Sequence, residues 1–193
     1  MRVLLLHAHP DPASFSAALF VVAQQELTAA GHDVAAVDLY AEGFDPVLGR
    51  AEWQGYVDVP ENRTQVAADA ARVDWAQAIV LVFPVWNFGP PAILKGYLDR
   101  VFLPGVSFHL TDGRVAPGLH HIRNLTAITT YGSTRWWAFL MGDAPRRLVR
   151  RVLRALIHPR ARCRYLAHYA ITRSTDATRA AFVGRVRSAL RRL

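Results

Sequence analysis

The sequence predicts an α/β fold: a five-stranded parallel sheet with helices on both faces, in a single domain over residues 1–193. Three observations predict it. Short apolar runs alternate with helix-period segments from end to end, and no repeat or linker interrupts them. Hydrophobic residues make up 52% of the chain and aromatics 10%, which excludes a disordered class. The residues least suited to a core fall in three segments, each directly after an apolar run.

Arg2–His7 is short and apolar, fit for a buried parallel strand. From Ser14 to Ala30 the period is helical, with Phe15, Leu19, Val22, Ala23 and Leu27 on one face and Gly31 as the stop. Val34–Leu39 reads as the second strand. The stretch 40–62, with Gly43, Pro46, Gly49, Gly55 and Pro60, is a long irregular connection of a kind often functional. Thr64–Ala76 reads as a helix and Ala78–Phe83 as the strongest strand. A helix from Pro90 to Phe102 places both prolines in its first turn, where the missing N–H costs little. Leu125–Thr130 is the fourth strand, His168–Thr172 the fifth, and a last helix starts at Asp176.

The net charge of +8 comes almost entirely from arginine, since Lys95 is the only lysine. A basic helix over 146–157 carries Leu148, Val149, Val152, Leu153, Leu156 and Ile157 opposite its arginines. Core packing with a solvated basic face is the ordinary account of it. A peripheral membrane or transporter contact is the alternative. Nucleic acid is not an expected partner, because the aromatics sit in the sheet-end loops and not among the arginines. Cys163 stands alone and His120-His121 has no acidic or thiol companions, so no disulfide or metal site is expected. The apolar start, Met1 to His7, is too short for a signal peptide, and a cytoplasmic location is expected.

Ligands of such sheets bind beyond the carboxyl ends of the strands, near the point where strand order reverses. After strand one, His9, Ser14 and Ser16 lie at a helix start, where free N–H groups favour an anion; a cap is the simpler role for Ser14. After strand three, Pro84, Val85, Trp86, Asn87 and Phe88 provide apolar walls and rigid backbone for a flat heteroaromatic ring. After strand four, Thr129, Thr130, Tyr131 and Gly132 form a small-residue turn with backbone donors. No GxGxxG, Walker A or GxSxG pattern occurs.

The segments His9 with Ser14-Phe15-Ser16, Asp38-Leu39-Tyr40 with Phe44 to Leu48, Phe83 to Gly89, Pro91 to Tyr97, Asp99 to Phe102 and Thr129 to Gly132 occur in order. On them the chain resembles the NAD(P)H:quinone oxidoreductase family of flavodoxin-like proteins. The resemblance implies a three-layer fold with strand order 2-1-3-4-5 and a homodimer with the active site at its interface. It also implies tightly bound FAD or FMN, and ping-pong transfer of two electrons from NADH or NADPH to a quinone or similar flat acceptor. His9, Ser14, Phe15 and Ser16 would hold the phosphate end. Pro84 to Phe88 would run along the isoalloxazine, and Thr129 to Gly132 would lie near its pyrimidine edge. Trp86 and Tyr131 would act as the catalytic residues beside a stacked nicotinamide. An ancillary subunit of bacterial potassium-efflux systems belongs to the same family, so a flavin-binding regulatory subunit is the second expectation.

The sequence departs from the animal enzymes of that family in three places. Ser16 stands in place of Asn and Tyr131 in place of the first Gly of a Thr-Thr-Gly-Gly turn. The Tyr and His that those enzymes place beyond that turn have no clear match here, and Trp136 and Trp137 occupy the neighbourhood instead.

Overall fold

The structure is a computed structural model describing residues 1–111 and 113–193. Strand β1 (Arg2–His7) pairs on one side with β2 (Asp33–Asp38) and on the other with β3 (Ala78–Val85). β3 pairs with β6 (Asn124–Tyr131), and β6 with β7 (Arg162–His168). All five are parallel. An antiparallel hairpin, β4 (Phe108–Thr111) and β5 (Arg114–Pro117), forms a separate ribbon between β3 and β6 in the chain. The order is therefore β2-β1-β3-β6-β7, and the expected 2-1-3-4-5 is corrected by the two hairpin strands.

Period-two alternation sorts the strand residues into two cores. Val3, Leu5, Val80, Val82 and Ile128 pack against α1 (Phe15–Ala29) and α8 (Asp176–Leu190). Leu4, Leu6, Ile79, Leu81, Phe83, Leu125 and Ala127 pack against α3 (Ala67–Trp75) and α4 (Ala92–Val101). β6 is buried along its whole length, as a central parallel strand should be.

The 40–62 connection contains the short helix α2 (Arg50–Gln54), and it crosses α4 at Gly96. A Cβ on Gly96 would overlap the backbone of Pro46, so only glycine permits that crossing.

The fifth strand lies earlier than expected. Arg162 to His168 pairs with β6, whereas Ala170 takes a left-handed conformation (φ 53) and the chain leaves the sheet. β7 is an edge strand and carries Arg162 and Arg164, which mask its apolar pattern. The basic segment is not one helix. After α5 (Arg135–Leu140) come α6 (Ala144–Arg147), a π-helical stretch Leu148–Leu153 and α7 (Arg154–Leu156). Val149, Leu153 and Ile157 are buried in the core, but the wider π turns leave Val152 exposed. Among the described residues no helix is long and apolar enough to cross a membrane.

Candidate functional site

β1, β3 and β6 are neighbours, so the loops that follow them stand side by side at one edge of the sheet. The chain reverses direction of strand addition between β1 and β3, which places the first two loops at a topological switch point.

The first loop ends at the start of α1. Ser14 Oγ accepts the N–H of Ala17 (3.1 Å), so Ser14 caps the helix, as its simpler reading expects. Ser16, in the first turn, is 3% exposed, and its Oγ has no hydrogen-bond partner among the described residues. No acidic residue occupies that turn. A buried hydroxyl is costly unless paired, and an anion at the helix start would pair it. His9 Nδ1 accepts the N–H of Asp11 (3.0 Å), which leaves Nε2 as the protonated donor of the neutral ring. The same ring meets Trp86 edge-on at 5.6 Å, joining the first loop to the second. Phe15 turns the other way, edge-on to His168 (5.7 Å) and tilted against Phe182 (6.3 Å).

The second loop is a two-residue turn. Trp86 N–H donates to Gly89 O (3.1 Å), and Gly89 N–H to Trp86 O (2.8 Å). Asn87 (φ 47) and Phe88 (φ 57) are both left-handed, the geometry of a type I′ turn. For Phe88 this is strained by roughly 1–3 kcal/mol, and strain of this kind gathers at ligand sites. Pro84 is buried and Val85 half-buried, while Trp86 is 42% exposed beside its strained neighbours.

In the third loop Thr129 and Thr130 are buried, and Gly132 faces open space. Tyr131 corrects an expectation. At 1% exposure its ring has no free face to offer a substrate. It packs on Tyr169 at 4.7 Å. Its hydroxyl donates to Asp143 Oδ1 (2.6 Å) and shares a hydrogen bond with the Tyr165 hydroxyl (2.6 Å). Arg146 completes the cluster, with Nε on Asp143 Oδ2 (2.7 Å) and a donor on the Tyr169 hydroxyl (2.7 Å). Burial, then the adjoining Tyr165 and Asp143, push the Tyr131 hydroxyl pKa far above the usual phenol range. Burial pushes Tyr165 up to about 12. Both stay protonated, and Tyr131 packs behind the loop.

Beyond Gly132, α5 exposes Trp136, Trp137, Phe139 and Leu140, and Met141 follows. This apolar patch adjoins the loop but was legible in the sequence only as two neighbouring tryptophans. Two buried histidines were missed at strand ends. His7 pairs with Asp38 at 2.8 Å, and His168 leaves Nδ1 unpartnered among the described residues. Cavities also lie outside the three loops. One of about 460 Å³ is lined by Asp45, Glu52, Asp58, Glu61, Asn62 and Arg100; one of about 440 Å³, beside Phe15's partner His168, includes Arg173, Thr178 and Arg185. Among the described residues no group of three or more His, Cys, Asp or Glu side chains is placed to hold a metal ion.

A family profile described as flavodoxin-like fold matches residues 1–161. NAD(P)H dehydrogenase (quinone) 1 of Cavia porcellus is 30% identical over 148 residues, 68% of this chain and 54% of that protein. The chain thus spans about half the length of that relative. The solved NAD(P)H:quinone oxidoreductase of Methanothermobacter marburgensis superposes with a TM-score of 0.79 at 25% identity, covering 99% of this chain and 96% of that one. An FMN-dependent NADH-azoreductase of Bacillus anthracis, solved with FMN, shares the fold (TM-score 0.79, 17% identity, 99% and 98% covered).

Proposed function

The chain belongs to the flavodoxin-like-fold family, and from that premise we propose that it is a flavin-dependent oxidoreductase. It passes two electrons from NADH or NADPH to a quinone or similar flat acceptor, donor and acceptor using one site in turn. One observation carries the reading. An unpartnered, buried hydroxyl at a helix start lies on the loop whose His9 touches an exposed tryptophan on a strained turn. An anion anchor thus adjoins an apolar wall, the two requirements of a phosphate-bearing aromatic cofactor.

When bound, FMN or FAD supplies the two-electron hydride chemistry. Ser16 Oγ, the His9 Nε2–H and the free amides of α1 would hold its phosphate. Trp86, Phe88, Val85 and Pro84 would wall its ring and exclude water. Asn87 and the turn from Thr130 to Gly132 offer polar groups to the ring edge, with Gly132 leaving room for close approach. Trp86 is the exposed surface on which a nicotinamide or a quinone stacks.

Both cores share one sheet, which supports reading residues 1–193 as one domain with three layers. We infer a homodimer that covers the exposed apolar residues of α5 beside Gly132, since monomers seldom leave such patches bare. The buried Val149 and Leu153 support the ordinary core account of the basic segment over a transporter contact.

Stopped-flow absorbance tests the proposal. Flavin-loaded protein is expected to bleach on mixing with NADH or NADPH, and to regain its colour with a benzoquinone. Loaded protein that neither nucleotide bleaches would end the enzyme reading.

A further inference from the structure

β1 delivers a histidine into the interior. On this strand Val3, Leu5 and His7 point to the same face, the one covered by α1. His7 is 1% exposed, and its ring stacks on Phe20 of α1 at 4.8 Å and 19°. Its Nδ1 meets Asp38 Oδ2 at 2.8 Å. Asp38 is itself fixed, because Oδ1 accepts the N–H groups of Tyr40 (3.0 Å) and Ala41 (3.1 Å). In the neutral ring Nδ1–H donates to Asp38, and Nε2 is left as a buried lone pair with no partner among the described residues.

The second buried atom without a partner, Ser16 Oγ, lies one turn before Phe20 on the same face of α1. Two unsatisfied polar atoms thus lie along the first two turns of this 15-residue helix, one on Ser16 itself and one on the ring stacked against Phe20.

We propose that the His7–Asp38 pair is a proton-linked counter-charge to the phosphate at the start of α1, so that a flavin phosphate binds together with one proton taken up from solvent at His7 Nε2. This rests on the reading that a flavin phosphate sits there. The physical case is a balance of charge. Without the anion, burial disfavours the imidazolium and outweighs the attraction of Asp38, with His9 adding to the opposition. The groups facing His7 are few. The titratable groups facing His7 are Asp38 of β2 and His9 of the loop, whereas Phe20 of α1 and Val82 of β3 carry no ionisable group. A phosphate dianion changes that balance toward the cation. The protonated ring keeps its Nδ1–H on Asp38 and turns Nε2 into an N–H donor, for which the phosphate is the anionic acceptor.

Linkage then fixes the sign: affinity for a phosphate-bearing flavin falls as pH rises through the His7 pKa of the complex. Riboflavin, which has the ring without the phosphate, should show no such fall.

The test is fluorescence titration of the apoprotein with FMN and with riboflavin. The range is from about pH 6.5 to about 8.5, above the second phosphate ionisation near ~6. The expected result is an FMN affinity that drops about tenfold, the equivalent of one pKa unit, beside a flat riboflavin profile. His7→Gln should flatten the FMN profile, whereas His9→Gln should weaken FMN at every pH and keep the slope. In case His7→Gln does not fold, NMR titration of the His7 ring proton in the wild-type protein should show its pKa rising when FMN is added. An FMN slope that survives His7→Gln, or a His7 pKa that FMN leaves unmoved, overturns the inference but leaves the flavin site standing. FMN and riboflavin binding equally at all pH, or not at all, removes the phosphate reading as well.

Discussion

The hydroxyl of Tyr131 lies 2.6 Å from Oδ1 of Asp143, so the last residue of β6 is tied to the residue that follows α5 and its turn. Asp143 holds a left-handed conformation (φ 42) and is pinned from its other oxygen by Arg146. The clasp fixes both ends of the stretch bearing Gly132 and the exposed aromatic helix. Tyr131→Phe deletes one donor to a mostly buried carboxylate and should cost about 1–3 kcal/mol in urea denaturation. A variant as stable as wild type would show that the clasp contributes nothing.

Ser16→Ala separates a ligand role from a structural one. The Oγ has no partner among the described residues, so its removal should leave unfolding free energy unchanged or slightly raised. Flavin affinity should nevertheless fall by about tenfold or more, the range for a hydrogen bond to a charged group at about 1.5–3 kcal/mol. Loss of stability with unchanged affinity would mean that the hydroxyl serves the core.

Phe88→Gly relieves a left-handed phenylalanine (φ 57). The relief, roughly 1 kcal/mol or more, is opposed by the chain entropy of glycine, so the thermal midpoint should hold or rise. Flavin binding should weaken because an apolar wall is lost. A marked drop in midpoint would show that the ring is needed for packing and not for a ligand.

Burial lowers the pKa of His7 and of His168, the latter with help from Arg185 and Arg179. Both folded values lie below the ordinary 6.5. Below that pH the unfolded chain takes up protons that the folded one refuses, so stability present at neutral pH is lost as pH falls. Urea denaturation at about pH 7.5 and about pH 5.5 should show a lower free energy at the acid value. His168→Leu should reduce the difference. An equal or larger difference in that variant would remove His168 from the account.

Much of this was legible in residues close together in sequence. The apolar run of β1, the stripe on α1 and the Ser14 cap depend on local periodicity and local hydrogen bonds. So does the placing of polar and aromatic residues just after strands, where a parallel sheet leaves its ligand edge. The hairpin β4–β5 and the strand β7 were not legible. One is a short ribbon outside the main sheet, and the other is an edge whose arginines break the apolar pattern.

By itself, then, the sequence determined the alternating α/β plan, the family, and which three loops hold the unusual side chains, because each of these is written in neighbouring residues. Only the tertiary structure decided which of those side chains are free to meet a ligand. Parallel register brings His7 beside Asp38, and packing of β6 against β7 encloses Tyr131, while Trp86 stays open. Burial and hydrogen-bond pairing depend on partners distant in the chain, and no local pattern encodes them.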